Sequence, residues 1–199
     1  MDTSDGYAIS RWDKDPRKRR FAQEVKAHNE LLGYLAQTFP KARRVYKYGN
    51  HDERFDAYLQ VKAADLLDIP QFQYEEVMGL NEYGFECVKD KRVMLLGKLG
   101  VLHGHEYANT PFGPVNPARG LFMKAIESAM CGHLHRSSQH SEPTLTGRLI
   151  STWSTGCLCQ LHPEYAAINK WNQGAAFVEI GNTGAYRVDN LRYIDGELW

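Results

Sequence analysis

The sequence predicts a mixed α/β fold, and three observations support this prediction. A helical pattern extends from Phe21 to Phe39, with apolar residues three, four or seven positions apart. Short apolar segments typical of strands alternate with helical segments through the middle of the chain. After residue 148, β-rich segments follow one another with turn residues between them, which indicates a second sheet layer. We therefore expect a single domain covering residues 1–199.

The elements can be placed in order along the chain. Asp15 is expected to cap the first helix, with Pro16 in its first turn, and Pro40 ends it. The basic residues 17–20 would then lie in that first turn, where they contact phosphate or, as is more usual, only solvent. The remaining predicted elements are a strand within residues 42–49, a helix over 53–68, strands within 93–97 and 99–105, a helix over 120–129, and strands within 148–156, 174–180 and 185–194.

Composition and charge exclude several classes of protein. The chain has 24 basic and 24 acidic residues, so no overall field attracts it to nucleic acid or to an anionic membrane. The longest apolar runs, such as VMLLG, are much shorter than a membrane-spanning helix requires. Four cysteines without a CxxC pair, and no apolar signal segment after Met1, indicate a reduced, cytoplasmic protein.

Three short clusters of polar residues each follow a predicted strand or helix, and each contains a glycine or comes directly after one. α/β folds gather their ligand-binding groups at such strand ends, and imidazole and carboxamide groups suit divalent Zn²⁺, Mn²⁺, Fe²⁺ or Ni²⁺. A single histidine is more often a surface or core residue, but the grouping favours a metal centre. On an extended strand, His133 and His135 would point to the same side. The clusters are Asn50-His51-Asp52, His103-Gly104-His105 and Gly132-His133-Leu134-His135.

These clusters, in this order, resemble the motifs of the calcineurin-like metallophosphoesterase family: GNHD at 49–52, HG at 103–104 and GHLH at 132–135. The resemblance covers the whole chain, and the segment STGCLCQLHPEY is similar to small members often found in phage genomes. It implies a four-layer α/β/β/α sandwich with two metal ions at the strand ends. It also implies a hydrolase in which a metal-activated water attacks phosphorus.

The resemblance assigns a role to each matching residue. Asn50, His103 and His133 would hold one ion, and His135 would help to hold the other. His51 would be the general acid that protonates the leaving oxygen, with Asp52 orienting its ring and raising its pKa. Arg54 would bind a substrate phosphate, although an arginine at this position is equally often a surface salt-bridge partner.

The chain departs from the family pattern at its beginning, where the DxH and GDxxD motifs are missing. Its opening MDTSDGYAISRW resembles the sequence that follows GD, so we expect an N-terminally truncated domain in which Met1 and Asp2 end a GDxxD motif. One ion should then bind more strongly than a second, and hydrolysis should be weak unless Asp2 or Asp5 replaces a ligand. An unpaired sheet edge would lower stability and favour association into a homo-oligomer.

Two alternatives remain open on the sequence. The first is a catalytically inactive, truncated relative that serves as a metal-binding or assembly module; the retained pair His51 and Asp52 favours the enzyme instead. The second is a structural zinc site formed by Cys131 with His133 and His135. It is disfavoured because the other cysteines lack zinc spacing, and Cys157 and Cys159 are expected to be small buried residues of a strand.

The substrate is only broadly indicated. GNHD in place of GNHE disfavours a phosphoprotein, which leaves phosphodiesters and small phosphomonoesters. The loop over residues 106–118 is expected to form a wall of the pocket together with Tyr107, Phe112 and Arg119. These aromatic rings would stack on a base of a nucleotide or nucleic acid, or would only pack the proline-rich loop.

Overall fold

The structure, a computed structural model, describes residues 3–15, 17–18, 20–107 and 115–199. These residues form four α-helices and ten β-strands arranged in three sheets, which confirms the predicted α/β class. The chain divides into two compact units, one ending at Asp90 and the other beginning at Lys91. No helix within the described ranges has both the length and the apolar composition needed to cross a bilayer.

The first unit contains three helices and a pair of parallel strands. Its apolar core joins one face of the first helix to the strand and to the two shorter helices, with side chains such as Leu32, Tyr46, Phe55 and Met78 almost fully buried. This packing fixes the loop that connects the first strand to the second helix. The elements are α1 (Phe21–Thr38), β1 (Arg44–Lys47), α2 (Glu53–Lys62), α3 (Tyr74–Val77) and β2 (Phe85–Val88).

The first helix begins later than the sequence pattern indicates. The expectation that Asp15 caps it is wrong, because α1 begins at Phe21 and the Gln23 side chain accepts a hydrogen bond from the Arg20 N–H at 3.0 Å. Asp15 instead accepts from the neighbouring Arg17 guanidinium at 2.8 Å. The local ion pair therefore replaces the predicted cap, and the basic run precedes the helix; Pro16 lies outside the described residues.

The second unit has a five-stranded sheet in the order β3-β4-β5-β7-β6 and a three-stranded antiparallel sheet in the order β10-β9-β8. Strands β4, β5 and β7 are parallel, and β3 and β6 are antiparallel edge strands. The elements are β3 (Met94–Leu96), β4 (Leu99–Leu102), α4 (Pro117–Ala125), β5 (Ala129–Cys131), β6 (Ser138–Pro143), β7 (Leu149–Ser154), β8 (Gly174–Ile180), β9 (Tyr186–Ile194) and β10 (Glu197–Leu198).

Alternation along the central strands builds three layers in this unit. Val101 and Met130 point to the smaller sheet, where they pack against residues of β8 and β9. Leu102 and Cys131, one position further along each strand, lie on the opposite face and pack against Leu121 of α4. The second unit is thus a helix, sheet and sheet sandwich, and the second sheet layer expected from the sequence is present.

Candidate metal centre

Two of the predicted ligands, His103 and His133, follow the carboxyl ends of neighbouring parallel strands. The last residues of β4 and β5, Leu102 and Cys131, are register partners. Nε2 of His103 lies 3.1 Å from Nδ1 of His133. Two nitrogens at about 2.0–2.1 Å from one ion, at roughly 90–110° to each other, are about 2.8–3.4 Å apart. The separation therefore suits either a hydrogen bond between the rings or two ligands of one divalent ion.

Glu106 holds the loop that carries His103. One carboxylate oxygen accepts from the His103 N–H at 3.1 Å, and the other accepts from the Gly104 N–H at 2.6 Å. The same carboxylate lies 3.7 Å from Nδ1 of His105. His103 is only 2% exposed, so this carboxylate fixes the backbone of a buried ring. This role of Glu106 is not predicted from the sequence, because Glu106 belongs to none of the three motifs.

Gly104 allows the two histidine loops to approach each other. Its φ is +125°, and a Cβ atom built on it would lie 2.9 Å from the Cβ of His133, closer than side chains tolerate. Any other residue here would separate the loops that bring His103 and His133 together. The HG pair is thus explained by close packing of the two loops as well as by the histidine itself.

The arrangement of His133 and His135 differs from the sequence prediction. β5 ends at Cys131, and both histidines have left-handed backbone, with φ of +61° and +56°. The prediction that they lie on an extended strand and point to the same side is therefore wrong. The turn directs the two rings to different neighbours: His133 contacts His103, whereas the His135 ring packs edge-on against Trp171 at 4.3 Å.

His135 belongs to a second group of potential ligands that the sequence analysis did not assemble. Its Nδ1 lies 3.9 Å from Sγ of Cys159, and Cys157 completes a set whose ligand atoms are all within 4.8 Å of one another. Cys157 is buried, whereas Cys159 is exposed and lies outside any strand. The prediction that both are buried residues of a strand is therefore wrong for Cys159. The signal in the sequence was the CLC triplet, which does not have CxxC spacing.

Cys131 does not share these surroundings. Its side chain lies among the residues that face α4, and burial raises the pKa of its thiol to about 12. Release of this proton would add to the cost of binding an ion at Cys131. This location gives no support to a structural zinc site of Cys131 with His133 and His135.

In the first unit, the Asn-His-Asp loop is fixed by the carboxylate of Asp52. Asp52 is 1% exposed and accepts hydrogen bonds from the hydroxyls of Tyr46 and Tyr74, at 2.9 and 2.5 Å, and from the Gly49 N–H at 2.7 Å. Asn50, which lies between Gly49 and Asp52 in the sequence, is partly exposed. The buried carboxylate thus ties the end of β1 to α3 and closes the turn that presents Asn50 and His51.

A different carboxylate, that of Asp5, contacts the predicted general acid. Its Oδ1 lies 3.2 Å from Nδ1 of His51 and 3.3 Å from Nη1 of Arg54. The hydrogen bond with His51, followed by the charges of His51 and Arg54, lowers the pKa of Asp5. Glu24 of α1 holds the segment that contains Asp5 in place, because its carboxylate accepts a hydrogen bond from the Gly6 N–H at 2.6 Å. The sequence indicates Asp5 only as a substitute metal ligand, so its contact with His51 is not predicted; Asp2, the other such candidate, lies outside the described residues.

The predicted substrate loop is described only at its two ends. Tyr107 packs against the cluster that contains Leu102 and Leu121, and Arg119 is exposed in the first turn of α4. Phe112 lies outside the described residues. Tyr107 thus contributes to the core beneath α4, and whether the aromatic rings stack on a base or pack the loop stays a prediction.

The predicted site residues are divided between the two units. Asn50, His51, Asp52 and Arg54 belong to the first, and His103, His133 and His135 belong to the second. Within the first unit, His51 and Arg54 converge on Asp5; within the second, His103 and His133 converge on each other. No protein-family model matches the sequence, and no curated protein shows a significant match to it.

Proposed function

We propose that this protein is a metal-dependent phosphoesterase that hydrolyses phosphodiesters or phosphomonoesters, with nucleotides and nucleic acids among its candidate substrates. The proposed fold is the four-layer sandwich of calcineurin-like metallophosphoesterases. The observation that supports this proposal most directly is the 3.1 Å approach of His103 and His133 at the carboxyl ends of adjacent parallel strands. Two imidazoles at this separation are a suitable donor pair for a borderline divalent ion.

In this proposal, Asn50, His103 and His133 hold one divalent ion, of manganese, iron, zinc or nickel, and His135 helps to hold another. When bound, such ions activate water and neutralise the charge that develops on the phosphoryl oxygens. The chain itself contributes neutral nitrogen donors and an amide oxygen. These ligands leave net positive charge at the site, which favours an anionic phosphoester.

His51 serves as the general acid. The Asp5 carboxylate, 3.2 Å from Nδ1, orients the ring and holds a proton on that nitrogen, which leaves Nε2 to deliver a proton to the leaving oxygen. Because the pKa of Asp5 is lowered, the group is a carboxylate at neutral pH. We therefore assign to Asp5 the orienting role that the sequence analysis gave to Asp52. Asp52 positions the loop, and Arg54 holds Asp5; phosphate binding by Arg54 remains a prediction.

The proposal is tested by hydrolysis of bis-p-nitrophenyl phosphate and p-nitrophenyl phosphate in the presence of Mn²⁺. Replacement of the general acid in His51→Ala should lower kcat by about 10²–10⁴-fold, with little loss of bound metal. Removal of a ligand in His103→Ala should lower both metal content and activity. His140→Gln, on β6 and outside the predicted set, is the matched control and should retain both.

Two results would contradict the proposal. Activity that is equal in wild type and His51→Ala would remove His51 from the reaction. Metal binding without hydrolysis of either substrate would favour the alternative of a metal-binding or assembly module. A count of bound ions tests in addition whether one ion is held more tightly than a second.

A further inference from the structure

The side chains of His135, Cys157 and Cys159 form a group that the proposed reaction does not use as a unit. Their ligand atoms lie within 4.8 Å of one another, and Nδ1 of His135 is 3.9 Å from Sγ of Cys159. In a tetrahedral zinc site, with zinc to sulfur bonds of about 2.3 Å and zinc to nitrogen bonds of about 2.0–2.1 Å, neighbouring donors are roughly 3.5–3.8 Å apart. The three donors are therefore close to the spacing that one ion requires.

We propose that His135, Cys157 and Cys159 bind one divalent ion of the zinc class, with a fourth position open to water or another ligand. Two thiolates and an imidazole select a soft or borderline ion over Mg²⁺ or Ca²⁺. Both thiols release their protons to solvent when they bind the ion. Because Cys159 is exposed and Cys157 is buried, the ion would lie at the surface of the second unit and would be reached from solvent.

The backbone around the group holds it in place through one residue, Asn172. Its N–H donates to the carbonyl of His135 at 3.0 Å, and its own carbonyl accepts from the Cys157 N–H at 3.0 Å. The side chain of Asn172 also accepts from the Ser137 N–H at 2.7 Å and donates to the Ser137 hydroxyl at 2.9 Å. The loop of His135 and the isolated β-bridge of Cys157 are thus fixed to the same residue, which preorganises two of the three ligands.

Three further features support a built site. A Cβ atom on Gly156 would lie 2.5 Å from the carbonyl oxygen of Asn172, so only glycine permits this approach immediately before Cys157. The left-handed backbone of His135, with φ of +56°, is unfavourable for a residue with a side chain. The Trp171 ring, 4.3 Å from the imidazole, supports that ring from one side.

This site stands on the second unit alone and does not require the proposed hydrolysis. His135 is also the residue assigned to the second phosphoesterase ion. If both proposals hold, that ion has two sulfur ligands from this chain. The inference then specifies the metal, because thiolates favour zinc over manganese.

The test uses the full chain in its reduced form, with Co²⁺ as the spectroscopic probe and Zn²⁺ as the competitor. Wild type should bind Co²⁺ with a thiolate-to-cobalt charge-transfer band in the near ultraviolet, which Zn²⁺ should remove stoichiometrically. Cys159→Ser changes an exposed thiol, so the fold should survive, and it should weaken Co²⁺ binding at this site at least about tenfold and reduce the band. Cys157→Ser should have the same effect.

Cys87→Ser is the matched control, because Cys87 lies on β2 of the first unit and outside the group. It should leave the band unchanged, as should His103→Ala, which alters only the proposed phosphoesterase ligands. A band of equal intensity in wild type and Cys159→Ser, or Co²⁺ binding without any thiolate band, would overturn the inference. Hydrolysis without a thiolate band would refute this site only, and a thiolate band without hydrolysis would refute the proposed function only.

Discussion

The Asn-His-Asp loop of the first unit and the histidine loops of the second follow strands in the same way but are held by different forces. In the first unit, the buried carboxylate of Asp52 binds two tyrosine hydroxyls and a backbone N–H. In the second, two loops meet through the close approach of Gly104 to His133 and the left-handed backbone of His133 and His135. The first loop depends on a single buried side chain. In the second unit Glu106 holds the His103 loop in a similar way, but the meeting of the two histidine loops depends on backbone conformation and on the absence of a Cβ atom.

This difference predicts that removal of a polar side chain will destabilise the loop of the first unit. In the second unit, the addition of a side-chain atom where the loops meet will have the larger effect. The largest effect is expected for Asp52→Ala, which leaves the hydroxyls of Tyr46 and Tyr74 and the Gly49 N–H without this acceptor. The free energy of unfolding should fall by about 3 kcal/mol, as expected when buried donors lose a charged partner. Urea unfolding followed by circular dichroism measures this change.

Asp65→Ala is the control for that experiment, because Asp65 is exposed in the same unit. Its effect should remain within about 0.5 kcal/mol, as for most surface substitutions. If Asp52→Ala were as stable as this control, the buried carboxylate would not be what holds the first loop.

The next largest effect is expected for Gly104→Ala. The new Cβ atom would lie 2.9 Å from the Cβ of His133 at a φ of +125°, so stability should fall by about 1–3 kcal/mol. Separation of the loops should also weaken metal binding by His103 and His133. Urea unfolding and metal titration of the same variant measure both effects.

Gly147→Ala provides a matched comparison, because Gly147 also has a positive φ, +83°, but its Cβ would meet nothing within 4 Å. It should show conformational strain of about 1 kcal/mol without any loss of metal affinity. Equal loss of metal affinity in both variants would mean that the contact with His133 is unimportant.

The smallest effect concerns pH and the buried His28 of α1. Burial lowers the pKa of His28, and its Nδ1 donates to the carbonyl of Met78 at 3.0 Å. The ordinary pKa of histidine is about 6.5, so well above this pH the ring is neutral in both the folded and the unfolded chain. The buried ring then makes its full contribution to the free energy of unfolding. Below that pH the unfolded chain binds a proton that the folded chain excludes, so the free energy of unfolding falls as the pH falls. The decrease is at most about 1.4 kcal/mol per pH unit, and it stops once the pH is below the lowered pKa of His28 in the folded chain.

Comparison of wild type with His28→Gln between pH 7.5 and pH 5 isolates this contribution. The variant should be less stable at pH 7.5, and its stability should fall less steeply below pH 6.5. Parallel pH profiles for the two proteins would show that the His28 ring accepts the proton without a penalty, and hence that the first-unit core is open to solvent.

Local patterns predicted the fold well where a whole segment carried the signal. α1 was located from its apolar spacing, and β8 was predicted at the residues that the structure assigns to it, Gly174–Ile180. β2 is not predicted because FECV has only four residues, too few for alternation to stand out, and the structure shows it paired with β1. The start of α1 was placed too early because a local cap signal at Asp15 was satisfied by Arg17 instead.

The sequence by itself determined the α/β class, the positions of the Asn-His-Asp and HG clusters after strands, and the resemblance on which the proposed function is based; that the GHLH cluster also follows a strand, β5, is shown only by the structure. Only the tertiary structure decided that Asp5 contacts His51, that Glu106 holds the His103 turn, and that His135 lies with Cys157 and Cys159. Each of the last two cysteines is more than 20 positions from His135, and Asp5 is 46 positions from His51. Such contacts depend on how the chain folds back on itself, whereas strand and helix patterns arise from neighbouring residues alone.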